Sequence, residues 1–133
     1  MKTPTCCALI VEDYRAERLL LKHQLHRLSF LVVEAADGAS ALARLLERRF
    51  DLVCLDLMLP DLTGLQICEF IRASRLQREV PILVLSARAL PEDRAAAEEA
   101  GASGYLVKPF DWDDFNAEVR RLVPGYRTDA LVL

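Results

Sequence analysis

Four short stretches of this sequence place polar side chains at the ends of apolar runs. "VED" (11–13) carries Glu12 and Asp13, "LDLMLPDLTG" (55–64) carries Asp56 between two leucines, "LSA" (85–87) carries Ser86, and "YLVKPF" (105–110) carries Lys108. A carboxylate buried alone in such a run costs several kcal/mol, so Asp56 requires a compensating charge. Three carboxylates brought together repel one another unless a cation sits among them. An all-oxygen set without histidine or cysteine suits a hard ion such as Mg²⁺. With the Lys108 ammonium as a second cation and the Ser86 hydroxyl as a donor, the set combines a nucleophile, a metal site, a fixed charge and a hydrogen bond. Those are the parts that phosphoryl transfer uses, where catalysis is mostly positioning and charge neutralisation.

The elements that must bring these residues together are legible in the hydrophobic pattern. Five apolar runs, "CCALIV" (6–11), "FLVVEA" (30–35), "LVCLDL" (52–57), "VPILVLS" (80–86) and "GYLVK" (104–108), are nearly continuous rather than alternating. Strands covered on both faces read this way, which predicts a parallel sheet. Between them lie segments of helical spacing: 14–28 with Leu21, Leu25 and Leu28, 38–49 with Leu42, Leu45 and Leu46 on one face, and 64–74 with Ile67, Phe70 and Ile71. The segment 91–102 opens on Pro91 and two acids and closes at Gly101, and 111–123 opens on acids and ends in Arg120 and Arg121. The order is βαβαβαβαβα, a single α/β domain. In an open parallel sheet, reactive residues gather outside the carboxyl ends of strands, where the winding reverses. Glu12 and Asp13, Asp56, Ser86 and Lys108 end the first, third, fourth and fifth strands, so all can meet at one edge.

Together and in this order, the four motifs closely resemble the response-regulator receiver domains of two-component signalling, over about residues 6–122. The resemblance implies a flavodoxin-like (βα)5 doubly wound sandwich with sheet order 2-1-3-4-5. It assigns residues 1–122 to the receiver and 123–133 to a tail or linker. By the same resemblance Asp56 is the phosphoacceptor, taking a phosphoryl group from a phosphohistidine on a sensor histidine kinase or phosphotransfer protein. Asp13, Asp56 and the main-chain carbonyl of Met58 would bind Mg²⁺, or Mn²⁺ in its place, and Glu12 would act mostly through a bound water. Ser86 would contact the phosphoryl oxygen after transfer and Lys108 would pair with it. Tyr105 matches the aromatic switch residue, with simple packing as the alternative reading, and Met58 and Arg88 flank the phosphoryl site. The Lys108–Pro109 bond is expected to be cis. The family's setting implies a cytoplasmic bacterial signalling protein that modifies itself rather than turning over an external substrate. Its output would run through the surface of the fourth helix, fifth strand and fifth helix, either to transcription through a DNA-binding domain beyond Leu133 or as a stand-alone receiver.

Other classes fit less well. Asp plus Glu at 20 against Lys plus Arg at 17, net −3, gives no nucleic-acid footprint of its own. No run approaches the ~18 apolar residues of a membrane span, and the start "MKTPTCCALIVED" lacks a cleavage-site pattern. Cys6, Cys7, Cys54 and Cys68 form no CxxC pair and read as small buried hydrophobes. His23 and His26 fall between the leucines of the first helix and should face solvent, while Trp112 reads as a packing residue or as part of a partner surface. An aspartyl phosphatase would need a second acid at position 58, which is methionine, and a flavin-binding domain would need a Ser/Thr/Gly-rich loop after the first strand. A receiver that binds partners without phosphorylation is disfavoured by the complete Glu12/Asp13/Asp56/Ser86/Lys108 set. Acids at Glu92, Asp93, Glu98, Asp113, Asp114 and Glu118 with bases at Arg94, Arg120 and Arg121 raise the expectation of weak self-association that strengthens on phosphorylation, with solvated helix faces as the alternative.

Overall fold

The computed structural model describes residues 6–124; the first five residues and 125–133, which hold most of the expected tail, lie outside the described residues. Ten elements alternate along the chain: β1 (Cys7–Val11), α1 (Arg15–Arg27), β2 (Leu31–Ala35), α2 (Gly38–Glu47), β3 (Leu52–Leu55), α3 (Gly64–Ala73), β4 (Ile82–Ser86), α4 (Pro91–Ala100), β5 (Gly104–Val107) and α5 (Trp112–Leu122). The strands form one parallel sheet in the order β2-β1-β3-β4-β5, as the resemblance implied.

The continuous apolar runs have a direct explanation in the two cores. Successive side chains of a strand point to opposite faces. On one face Leu9, Val11, Val53, Leu55, Ile82 and Val84 pack against α2, α3 and α4 through Leu45, Ile67, Ile71 and Ala97. On the other, Ala8, Ile10, Leu52, Cys54, Leu83 and Leu85 pack against α1 and α5 through Leu21, Leu25, Phe115 and Val119. The central strands β1, β3 and β4 are buried along their whole length, so they carry no charged side chain before their ends, whereas the edge strand β2 admits Glu34.

Helix starts follow local chemistry. Thr63 and Gln66 form a reciprocal capping box on α3, Asp37 accepts from the Ser40 amide at the start of α2, and Asp111 accepts from the Asp114 amide at the start of α5. The fourth helix begins at Pro91 and stops at Gly101, whose φ of 115° lies in the left-handed region that a side chain rarely adopts. Position 64 also requires glycine, because a Cβ there would stand 2.8 Å from the Asp56 carbonyl oxygen.

Two details differ from the sequence expectation. Leu46 is 69% exposed, and the buried stripe of α2 runs through Gly38, Ala41 and Leu45, with Leu42 partly covered. At the end of the receiver, Val123 is still buried among the residues of the second core. His23 and His26 are exposed as expected, and Trp112 packs edge-on against Phe110 and Phe115. All four cysteines are free; burial alone pushes the Cys54 thiol up to about 12. No described helix is long and apolar enough to cross a membrane.

Candidate functional site

The winding reverses at β1, so the ends of β1 and β3 are neighbours and their first residues beyond the sheet converge. The Asp56 amide donates to the Val11 carbonyl at 3.0 Å, which fixes the loop after β3 beside the loop after β1. One carboxylate oxygen each from Glu12, Asp13 and Asp56 lies within 4.8 Å of the others. Glu12 and Asp56 are buried, whereas Asp13 is exposed at the mouth. That is a hard, all-oxygen donor set of the expected kind, and it fits Mg²⁺.

Lys108 reaches this cluster from the end of β5. Its Nζ lies 2.9 Å from Asp56 Oδ2, 2.8 Å from Glu12 Oε2 and 2.7 Å from Glu17 Oε1. The Lys108 amide donates to the Ser86 carbonyl at 2.8 Å, and the following bond to Pro109 is cis. On the other side, the Met58 amide donates to Asp56 Oδ1 at 2.8 Å. Both Asp56 oxygens are therefore held in place, one by an ammonium and one by a backbone amide.

The electrostatics follow from crowding. Burial pushes the Glu12 carboxyl up to about 7; the Lys108 hydrogen bond opposes this and the Asp56 charge adds to it. Burial alone would lower the Lys108 ammonium, but its hydrogen bonds to Glu12, Glu17 and Asp56 outweigh that and hold it above the usual lysine range. The proton is thus easier to place on Glu12 than to remove from Lys108.

Ser86 and Tyr105 are tied to the site through Arg88 rather than through Asp56. Ser86 is fully buried, and its Oγ accepts from the Arg88 amide at 3.1 Å. Tyr105 is also buried; its hydroxyl donates to the Arg88 carbonyl at 2.8 Å, and the Arg94 guanidinium covers the ring at 4.9 Å. The ring already occupies a buried position in the unmodified chain. The two flanking residues touch each other: Arg88 Nη1 lies 3.6 Å from Met58 Sδ, while Arg88 Nε pairs with Asp93 at 3.1 Å.

Three residues at the site escaped the sequence reading. Glu17 supplies the third carboxylate on Lys108. Arg18 donates to the Glu12 carbonyl at 2.9 Å and pairs with Glu34 at 3.2 Å, so it braces the acidic loop. Asp61 accepts from the Gly38 and Ala39 amides at 2.7 and 2.9 Å, tying the loop after Asp56 to the start of α2, and those backbone bonds hold its carboxyl below the usual range. Glu17 and Arg18 were findable in principle, since first-turn side chains lean back toward a helix N-terminus and this helix starts at the site. On the surface expected to self-associate, Asp93 and Glu118 are already paired within the chain, with Arg88 and Arg121.

The family model for the response regulator receiver domain matches residues 8–120. A curated relative, response regulator ArlR of Staphylococcus aureus, is 36% identical over 115 residues, 86% of this chain and 51% of that one. The chain thus spans about half the length of the curated relatives it matches. Among solved structures, the chemotaxis response regulator CheY4 of Vibrio cholerae superposes with a TM-score of 0.85 at 31% identity, covering 90% of this chain and 99% of that one. The receiver domain of the sensor histidine kinase PA1611 from Pseudomonas aeruginosa, with a magnesium ion coordinated in its active-site cleft, superposes with a TM-score of 0.84 at 32% identity, covering 91% and 99%.

Proposed function

Since the chain belongs to the response regulator receiver domain family, we propose that it is a phosphorylation-activated switch in which Asp56 accepts a phosphoryl group from a histidine kinase or phosphotransfer protein. The observation that carries this reading is the double hold on a buried carboxylate, with Lys108 at 2.9 Å from one Asp56 oxygen and the Met58 amide at 2.8 Å from the other. In the transfer, a carboxylate oxygen forms the new P–O bond as the P–N bond of the phosphohistidine breaks, and the electron pair leaves with the imidazole. Lys108 stays protonated throughout and balances charge on the phosphoryl oxygens. Ser86, whose oxygen accepts from the Arg88 amide, also carries a hydroxyl donor that can turn to the same oxygens. Glu12, Asp13, Asp56 and the Met58 carbonyl would hold Mg²⁺ or Mn²⁺, which when bound neutralises charge that builds up on the transferred group.

The chain modifies itself and turns over no external substrate. Beside Lys108, an apolar groove lined by Leu20, Leu21, Ala87, Pro109, Phe110 and Trp112 gives the donor protein a place to seat next to Asp56. Output would run through α4, β5 and α5 in the cytoplasm, and in a longer chain would reach a DNA-binding domain. The test is intact-mass spectrometry after incubation with a small acyl phosphate. One phosphoryl group is expected on the wild type with Mg²⁺, none after chelation, and none on Asp56→Asn. Labelling of Asp56→Asn to the wild-type extent would refute the assignment.

A further inference from the structure

Arg88 is the junction of the whole switch region. Its amide holds the Ser86 hydroxyl oxygen, its carbonyl holds the Tyr105 hydroxyl, and its guanidinium spans from Met58 to Asp93 in the first turn of α4. Met58 in turn holds Asp56 through its amide, so the guanidinium rests on the residue that fixes the phosphoacceptor. The helix it grips is weakly packed: of ten residues in α4 only Ala97 is buried.

We propose that the Arg88–Asp93 ion pair is a latch on the first turn of α4, and that a phosphoryl group on Asp56 opens it by drawing the Arg88 guanidinium from the Asp93 carboxylate to the phosphoryl oxygens; this rests on the reading of Asp56 as the phosphoacceptor. The direction of exchange follows from charge and geometry. Asp93 offers Arg88 one contact, through Nε, whereas a phosphoryl group carries more negative charge and three acceptor oxygens and takes a guanidinium in a forked, two-bond pairing. The side chain is about half exposed and already extends over Met58, so the exchange needs rotation at its end and no movement of the sheet. Once Asp93 loses its partner, the first turn keeps the stacking of Arg94 on Tyr105 and its backbone bonds to the Leu90 carbonyl. The latch thus couples the chemistry at Asp56 to the α4 surface without requiring Tyr105 to change position.

Hydrogen exchange of the α4 first-turn amides, at Arg94 and Ala95, tests the latch. Without any phosphodonor, Asp93→Asn should exchange roughly two- to fivefold faster there than wild type, the range an exposed ion pair supports. Arg88→Gln should do the same, the double variant should go no further, and Asp93→Glu should restore the slow rate. Wild type should reach the fast rate only after labelling with an acyl phosphate and Mg²⁺, whereas labelled Asp93→Asn should change little more. Additive single effects would mean that Asp93 acts on the helix dipole alone, and would overturn the latch. So would unchanged exchange in Asp93→Asn, or a labelled wild type whose first turn stays slow. If wild type takes no label, the phosphoacceptor reading fails on its own, and the unlabelled arm still decides whether the pair holds α4.

Discussion

Removing Lys108 and removing the Asp56 charge should have opposite effects on stability, although the two groups form one ion pair. Above pH 7 the Glu12 carboxyl is ionised, and pH 8 is therefore the condition of choice. With an effective dielectric near 20, the Lys108–Asp56 attraction at 2.9 Å is about 6 kcal/mol. The repulsion of Asp56 from Glu12, across no more than 4.8 Å, is about 3.5 kcal/mol or more, the exposed Asp13 adds a smaller, water-screened amount, and relieving the burial of the Asp56 charge offsets the rest. These nearly cancel, and the amide of asparagine keeps an oxygen that can accept from Met58. Asp56→Asn should therefore leave stability unchanged or raise it by up to about 2 kcal/mol. Lys108→Ala has no such balance. It leaves two buried carboxylates facing each other and should cost about 3–5 kcal/mol, the usual result of stripping one partner from a buried pair. Glu17 adds little to that figure, because its side chain is 41% exposed. Urea unfolding followed by Trp112 fluorescence and circular dichroism, with chelator present, reads both variants. Because the loss in Lys108→Ala comes from carboxylate repulsion, adding Asp56→Asn should recover at least half of it. Lowering the pH should also recover it: Glu12 already binds its proton more tightly folded than unfolded, so stability rises as pH falls through about 7 toward the ordinary carboxylate range. A loss above about 2 kcal/mol in Asp56→Asn, or a Lys108→Ala chain as stable as wild type, would show that the cluster is not governed by this charge balance.

Mg²⁺ should stabilise the chain more at pH 8 than at pH 5.5, since the proton on Glu12 competes with the ion, and Asp13→Ala should shift saturation to higher Mg²⁺; identical titrations would remove Asp13 from the site. Arg72 donates to the carbonyls of Gly101, Arg78 and Val80, so Arg72→Ala should cost about 3 kcal/mol or more by orphaning those acceptors, and Arg72→Lys should restore only part of it in thermal melts. Sedimentation at micromolar concentration, with and without an acyl phosphate and Mg²⁺, should show self-association only when labelled, because Asp93 and Glu118 are occupied within the unmodified chain; a monomer in both conditions would point output to a different protein.

What the sequence showed and what it hid divide along a physical line. Burial on both faces leaves the central strands almost no polar positions, so their runs and the polar residues that end them stood out, and Glu12, Asp13, Asp56 and Lys108 do converge. Strand ends were less exact: β2 begins at Leu31, because Ser29 turns through a positive φ of 70° and Phe30 is spent on the core. The α2 stripe was misplaced by one position because leucine spacing outweighed Ala41, which is fully buried against the sheet while Leu46 points to solvent. Glu17 and Arg18 sit where the start of α1 leans toward the site, but no local pattern states how far α1 stands from the end of β5, and Asp61 acts across elements on the start of α2.

The fourth helix connects these lines of reasoning. Its sequence, "PEDRAAAEEA", offers no large apolar side chain, and burial of a few alanines gives far less hold than the leucines, isoleucines and phenylalanine that seat the other helices. Beside its packing on α3 through Ala97 and Ala100, it is gripped by side chains at both ends. At the carboxyl end Arg72 grips the Gly101 carbonyl with two nitrogens at 2.7 and 3.0 Å, inside a network that also reaches Val80. At the amino end the grip is the ion pair between Arg88 and Asp93 together with Arg94 stacked on Tyr105, close to the Asp56 loop through Met58. A phosphoryl group on Asp56, as proposed, would act on the second of these, which is joined to Asp56 through Met58. If Asp56 takes a phosphoryl group as proposed, a helix poor in apolar bulk and charged at its start should respond first at its amino end, while Arg72 continues to hold the Gly101 carbonyl at the other.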